Sequence, residues 1–209
     1  EYRDKLRQLS SAAATLPAPT IATCQLQVKH AGGRLQVAAE LAVTNRDSDL
    51  LDTLLFTLNP ALNIEAIRAS GAALSFRRDE HLLHVELPTA LALGDTLQLH
   101  IAYAGTLDER FCYLDVERER YEAVYRFSLH TVPKRYALAT SDFLHLTPEA
   151  GWYPRGGVPQ GTAFPASGHR DYTRYQISVA VPPGWSAFSQ GALQVDSLAG
   201  LHHFKTATP

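Results

Sequence analysis

Residues 20–45 read TIATCQLQVKHAGGRLQVAAELAVTN, and the spacing of their apolar side chains decides the fold class. Cys24, Leu26 and Val28 alternate with Gln25, Gln27 and Lys29, a period of two that places each set on its own face of an extended chain. Gly32-Gly33 accept the backbone angles of a tight turn, and Arg34 to Asn45 continue as a second strand. The stretch therefore predicts a β-hairpin with two half-buried strands.

The pattern extends in both directions. Upstream, Tyr2 to Ala14 is rich in Ala and carries Leu6 and Leu9 among charges, which predicts a short helix stopped by Leu16-Pro17-Ala18-Pro19. Downstream, Leu54–Leu58, Ile64–Ala69, Ala72–Phe76, Leu82–Leu87 and Thr96–Ala104 are apolar or β-branched runs separated by Asn59-Pro60, Ser70-Gly71, Arg78-Asp79-Glu80 and Leu93-Gly94-Asp95. Short strands with turn chemistry between them predict an all-β chain, an antiparallel β-sandwich with a short N-terminal helix. Residues 1–19 are the expected helix and linker, and residues 20–209 the sandwich domain.

Beyond Gly105 the pattern loosens. Phe111–Leu114, Val124–Val132 and Phe143–Leu146 are candidate strands, and Glu149–Gly168 is a loop rich in Gly and Pro, expected to be the working surface because long loops in compact domains usually serve a function or a contact. A final pair, Tyr172–Val181 and Leu193–Lys205, is joined through Val181-Pro182-Pro183-Gly184.

Composition narrows the function classes. Of 209 residues, 19 are Lys or Arg and 21 Asp or Glu, with no block of one sign, so nothing is expected to grip nucleic acid or an anionic membrane. Cys24 and Cys112 lack metal-knuckle spacing, and a single bridge between them is left open. No run reaches the length that crosses a bilayer, and the start lacks the apolar stretch of a signal peptide. The absence of Met predicts a piece of a longer or processed protein.

No catalytic or metal-ligating residue is assigned. His81 and His84 would share a face of a helix, but in a strand they point apart, which makes them surface histidines flanking a hairpin turn. His202-His203 fail for the same reason. The string His-Glu-x-x-His, which sets two imidazoles one helical turn apart beside a carboxylate, is absent. Ser167-Gly168-His169-Arg170-Asp171 sit too close in sequence to assemble a triad. Gly184-Trp185-Ser186-Ala187-Phe188 lacks the second Gly of a nucleophile elbow, and Gly156-Gly157 precedes no helix that would cradle phosphate. Trp152-Tyr153-Pro154 is expected to anchor its loop in the core, with docking as the other reading. The tyrosines of 121–125 and 172–175 read as ordinary strand residues.

Taken in order, four segments resemble the N-terminal domain of the aminopeptidase N family of gluzincin zinc metallopeptidases. They are the opening hairpin Thr20–Val43, the run Leu54–Ile67 with Leu62-Asn63-Ile64, the stretch Leu91–Gly105 that ends in Tyr103-Ala104-Gly105, and Val181–Gly191 with its Pro-x-Gly opening. Leu16–Ile21 and Gly151–Pro154 are similar to a branch fused to an ABC-transporter permease. The resemblance implies a saddle-like sandwich that is not itself an enzyme. It would pack against a catalytic domain absent from this chain and help to shape a peptide cleft. Zinc would sit in that missing domain, and the parent would be membrane-anchored with this segment outside the cytoplasm of a bacterium. One departure stands out: Leu144–Glu149 occupies the place where soluble members hold the substrate's amine, so that role is not carried to His145 or Glu149. Alternative readings are a free-standing carbohydrate- or protein-binding sandwich, favoured by exposed rings at Trp152, Tyr153 or Trp185, and a transporter-linked pseudo-peptidase.

Overall fold

The computed structural model describes residues 1–112, 114, 137–158 and 172–207. The expected strand Val124–Val132, the tyrosines of 121–125 and the group Ser167–Asp171 lie outside the described residues. Helix α1 (Tyr2–Ala13) precedes strands β1 (Thr20–Ala31), β2 (Arg34–Thr44), β3 (Leu50–Thr57), β4 (Leu62–Ala69), β5 (Ala72–Ala73), β6 (Phe76–Asp79), β7 (Leu82–Ala92) and β8 (Thr96–Gly105). β9 (Ala137–Ala139), β10 (Leu144–Leu146), β11 (Arg155–Gly156), β12 (Arg174–Ala180), β13 (Ala192–Asp196) and β14 (Leu201–Lys205) follow.

The large sheet has the order β13-β14-β12-β1-β2-β8-β4-β5 and the small sheet β11-β3-β7-β6, while β9 and β10 form a separate hairpin. The expected antiparallel sandwich is present, with one exception: β1 and β12 run parallel, from Thr23 opposite Arg174 to Lys29 opposite Ala180. Between the sheets, Leu26, Leu41, Ile101 and Tyr103 of the large sheet and Leu54, Phe56, Leu83 and Val85 of the small one form the main core. Neighbours of opposite parity, Leu55 and Leu82, point to the other side of the small sheet and meet Ala13 of α1. The small sheet is thus covered on both faces, which explains why β3 reads as a continuous apolar run rather than an alternation.

Three sequence expectations are corrected. Ala72–Phe76 is not one strand: the N–H of Leu74 still donates to Ile67 of β4 (2.9 Å), whereas the N–H of Glu86 in β7 already donates to Ser75 (3.0 Å). The chain changes sheets between adjacent residues, a step that alternation alone does not reveal. Glu109–Phe111 is a 3-10 turn capped by Asp108, whose carboxylate accepts the Arg110 N–H (2.9 Å). Leu193–Lys205 is two strands, because the Asp196 carboxylate accepts from the N–H groups of Leu198 and Ala199 (3.1 Å each) and closes a turn. β7 also continues past Pro88. Leu51 faces Leu91 and Thr53 faces Glu86, so residues 87–90 bulge and no ladder bond is required of the proline.

One end of the sandwich is tied by polar groups. The fully buried Asn59 amide donates to Asp108 (3.1 Å) and Ala150 (2.8 Å), and its side-chain oxygen accepts from the N–H groups of Ala61 (3.1 Å) and Asp108 (3.0 Å). The Arg78 guanidinium donates to the carbonyls of Leu58, Asn59, Leu62 and Glu80 at 2.7–3.0 Å. Burial lowers its pKa to about 10, which leaves it charged at neutral pH. Beside it, His81 is fully buried and not on the surface: Nε2 lies 2.8 Å from Ser10 Oγ of α1 and the ring packs on Phe111 at 5.4 Å.

Two outcomes follow. Asn59→Ala strands one buried backbone group, the Ala150 carbonyl, and three part-buried ones at Ala61 and Asp108, and should cost about 2–3 kcal/mol in urea unfolding, since each unpaired buried group costs roughly 1–3 kcal/mol; a loss below 1 kcal/mol would contradict the hub. Burial, then the Arg78 charge, hold the His81 pKa down at about 4 against an ordinary 6.5. The unfolded chain therefore takes up a proton first, and stability that is complete above about pH 6.5 declines as pH falls toward 4. His81→Gln should remove on the order of 3 kcal/mol of the pH 7-to-4 difference; identical pH profiles for the two proteins would refute it.

Candidate functional site

A groove of about 550 Å³ opens where the large sheet outruns the small one. Its floor is Val28 of β1 with Ile177 and Val179 of β12, adjacent in the parallel register. The walls are the β9–β10 hairpin on one side, with Phe143 and His145, and the segment 182–189 on the other, with Trp185 and Phe188. The Pro-Pro-Gly of Val181–Gly184 forms a turn in which the Trp185 N–H donates to Pro182 (3.1 Å), and this brings the indole over His30 at 5.7 Å between ring centroids. Nε2 of His30 is buried without a hydrogen-bond partner among the described residues.

The closed end of the groove is Trp152, which is buried as the sequence led one to expect. Its carbonyl accepts from the fully buried Tyr103 hydroxyl (3.0 Å), and its ring meets Tyr153 edge-on at 5.0 Å, which in turn meets Tyr175 at 5.7 Å. Burial raises the pKa of all three tyrosines, so each is neutral and serves packing. The motif Tyr103-Ala104-Gly105 acquires a physical reason: a Cβ on Gly105 would stand 2.2 Å from the Ala61 carbonyl oxygen, so only Gly lets β8 pass the β3–β4 connection.

The other sequence candidates are dispersed. His81 binds α1, while His84 lies 3.7 Å from Asp79 in a different environment. His203 pairs with Ser178 (2.8 Å), and its neighbour His202 belongs to the opposite face. Gly157 accepts from the Thr57 hydroxyl (2.6 Å) and pins β11 to β3. Cys24 and Cys112 are free and buried, with thiols pushed up to about 12 by burial, so the open question of a bridge resolves as none. Among the described residues no three His, Cys, Asp or Glu side chains gather to hold a metal. His145 is exposed at the rim and Glu149 sits in a 3-10 turn (Pro148–Ala150). The sequence reading missed the groove itself, because its walls come from segments about 40 residues apart; the Pro-Pro-Gly turn beside Trp185 was the available signal.

No family model and no curated protein matches the chain. Solved structures do. A mutant M1 zinc metallopeptidase from Deinococcus radiodurans bound to a Tyr-Ser-Ala substrate superposes with a TM-score of 0.64 at 18% identity, over 91% of this chain and 39% of that one. The M1 zinc metallopeptidase from the same organism gives 0.62, as does a two-domain M1 zinc metallopeptidase mutant bound to L-arginine, with the same identity and coverage. The chain has the fold of part of an M1 metallopeptidase. It spans well under half the length of the structures it matches, and at this identity the likeness is one of fold.

The aromatic anchor is open to measurement. Trp152→Ala should destabilise the protein by about 3–5 kcal/mol in urea melts, the range for deleting a buried aromatic, whereas Trp185→Ala, at the groove wall, should cost no more than about 1 kcal/mol. Equal losses would mean that the two indoles do not divide into anchor and wall.

Proposed function

We propose that this chain is the non-catalytic N-terminal domain of a zinc aminopeptidase. It would pack against a catalytic domain elsewhere in the parent and supply one wall of the peptide cleft through the groove and the β9–β10 hairpin. The observation that carries the reading is the fold likeness over 91% of this chain to 39% of two-domain M1 peptidases. The burial of Trp152 and the half-burial of Tyr153 favour it over a sugar-stacking module. Residues 20–209 form the domain on this reading, with residues 1–19 as its lead-in, and none of its side chains is a catalyst or a zinc ligand. Zinc in the partner domain would polarise the peptide carbonyl and activate water; this chain would supply shape and orientation.

The resemblance of Leu16–Ile21 and Gly151–Pro154 to the permease-fused branch supports a membrane-tethered parent with this domain outside the cytoplasm. No helix among the described residues is long and apolar enough to cross a membrane. A tethered parent would carry its spans in other segments.

The test is direct. The parent reading frame should encode His-Glu-x-x-His and a downstream Glu beyond residue 209, and the purified parent should hydrolyse aminoacyl amides until a chelator removes zinc, while this chain alone should not. Zinc-dependent turnover by this chain alone, or a parent without that motif, would sink the reading.

A further inference from the structure

Helix α1 lies over the outer face of the small sheet, and its apolar contacts stand apart from the main core. Leu6 is buried with Phe111 and Leu114, and Tyr2 packs on them; Ala13 is buried with Leu55 and Leu82, and Leu9 and Val158 pack on those. Neither cluster shares a buried residue with the core between the sheets, so the helix can lift away without opening that core. Its 12 residues are too few to stay helical alone in water. What keeps α1 ordered is its attachment.

The turn between β6 and β7 holds the helix with two adjacent side chains. Glu80 accepts from the Lys5 ammonium (2.5 Å) and the Tyr2 hydroxyl (3.2 Å), and His81 Nε2 meets Ser10 Oγ (2.8 Å). Glu80 has a φ of 53°, which glycine would adopt at less cost, but a glycine there could not grip α1. The Ser10 hydroxyl donates its one proton to the Leu6 carbonyl (3.0 Å), so its bond to His81 takes Nε2–H as the donor. Nδ1 is then the nitrogen that must accept a second proton, and it is buried with no hydrogen-bond partner among the described residues. A proton there makes a buried cation with an unpaired donor, and the Arg78 charge opposes it. Glu80 favours the proton but is already committed to Lys5. The 3-10 turn that carries Phe111 adds Asp108, Glu109 and Arg110, and Arg110 pairs with Asp108 (2.7 Å). On the far side of α1, Arg3 and Arg7 donate to the carbonyls of Arg110, Cys112 and Leu114, bonds that do not titrate in acid.

We propose that this pair is an acid-sensitive latch: a proton on His81 frees α1 from the domain while the two sheets stay folded. The device is independent of the peptidase reading. His81 is held near pKa 4 while α1 covers it and returns toward the ordinary 6.5 once uncovered, so the released state takes up the proton first. Docking is therefore complete above about pH 6.5 and weakens on the order of 100-fold by pH 4. The hydrogen bond from Lys5 holds the Glu80 carboxylate below its usual 4.5, so the weakening begins at His81 and not at Glu80.

Hydrogen exchange of the full-length protein between pH 7 and pH 4, corrected for the intrinsic rate, tests the proposal. The amides of α1 should lose protection on the order of 100-fold and at each pH stay less protected than those of β1, β2 and β8, which open only with the whole fold. His81→Gln should flatten the pH profile of α1. Glu80→Gln should lower its protection a few-fold at pH 7 and keep the slope, as expected of an exposed ion pair. If His81→Gln does not fold, Ser10→Ala carries the test from the helix side: it should loosen α1 at pH 7 and leave β1, β2 and β8 as they were. A profile of α1 that is flat in the unaltered protein overturns the latch. So does an α1 as well protected as β2 at pH 4, which would mean that His81 takes up its proton only when the whole domain unfolds, and so does an α1 unmoved by Ser10→Ala.

Discussion

The side chain of Asn59 is the constraint on which the rest of the described structure depends. Three segments that follow no regular hydrogen-bond ladder meet there: the β3–β4 connection, the 3-10 turn after β8, and the turn that precedes Trp152. A buried amide with two donors and one acceptor oxygen can satisfy all three, whereas any apolar residue of its size would leave their backbone groups unpaired in a low-dielectric interior. Arg78 completes the arrangement from β6 by taking the carbonyls of Leu58, Asn59 and Leu62. These bonds hold the β3–β4 connection where Gly105 must pass it, and through Ala150 they set the position of Trp152.

The regular strands were legible because each presents one face to the core. β1, β2 and β8 begin and end within a residue or two of their alternation, and α1 ends just before its Pro-rich stop. What alternation does not encode is which sheet a strand joins. Leu74-Ser75 crosses between sheets with no Gly or Pro to mark the step, and the split of Leu193–Lys205 depends on one aspartate turn that reads as part of a strand. His81 was misplaced for a related reason. Its burial comes from α1, some 70 residues away, and a period of two says nothing about a helix laid over the outer face of a sheet.

The candidate site was legible only in its anchor. Trp152 is large, apolar and adjacent to a proline, so its burial follows from its own chemistry, and the Tyr103 hydroxyl then needs an acceptor that the Trp152 backbone supplies. The groove beside it is a property of unequal sheet widths, and width is decided by pairings such as the parallel one between β1 and β12 that span about 150 residues. Such a pairing leaves no local trace in the sequence.

Burial also bears on what kind of work the fold can do. Six groups among the described residues have their neutral form favoured by burial: the thiols of Cys24 and Cys112, the phenols of Tyr103, Tyr153 and Tyr175, and the imidazole of His81. Each shift is dominated by desolvation and not by a charged partner, which is the signature of packing; a tuned reactive group would sit near neutrality beside a specific charge in an accessible cleft. Buried polar side chains among the described residues fix shape instead: Asn59 ties the β3–β4 connection to Asp108 and Ala150, Asn45 ties the end of β2 to Ser48 and Leu91, and the Thr173 hydroxyl donates to Ile21 of β1.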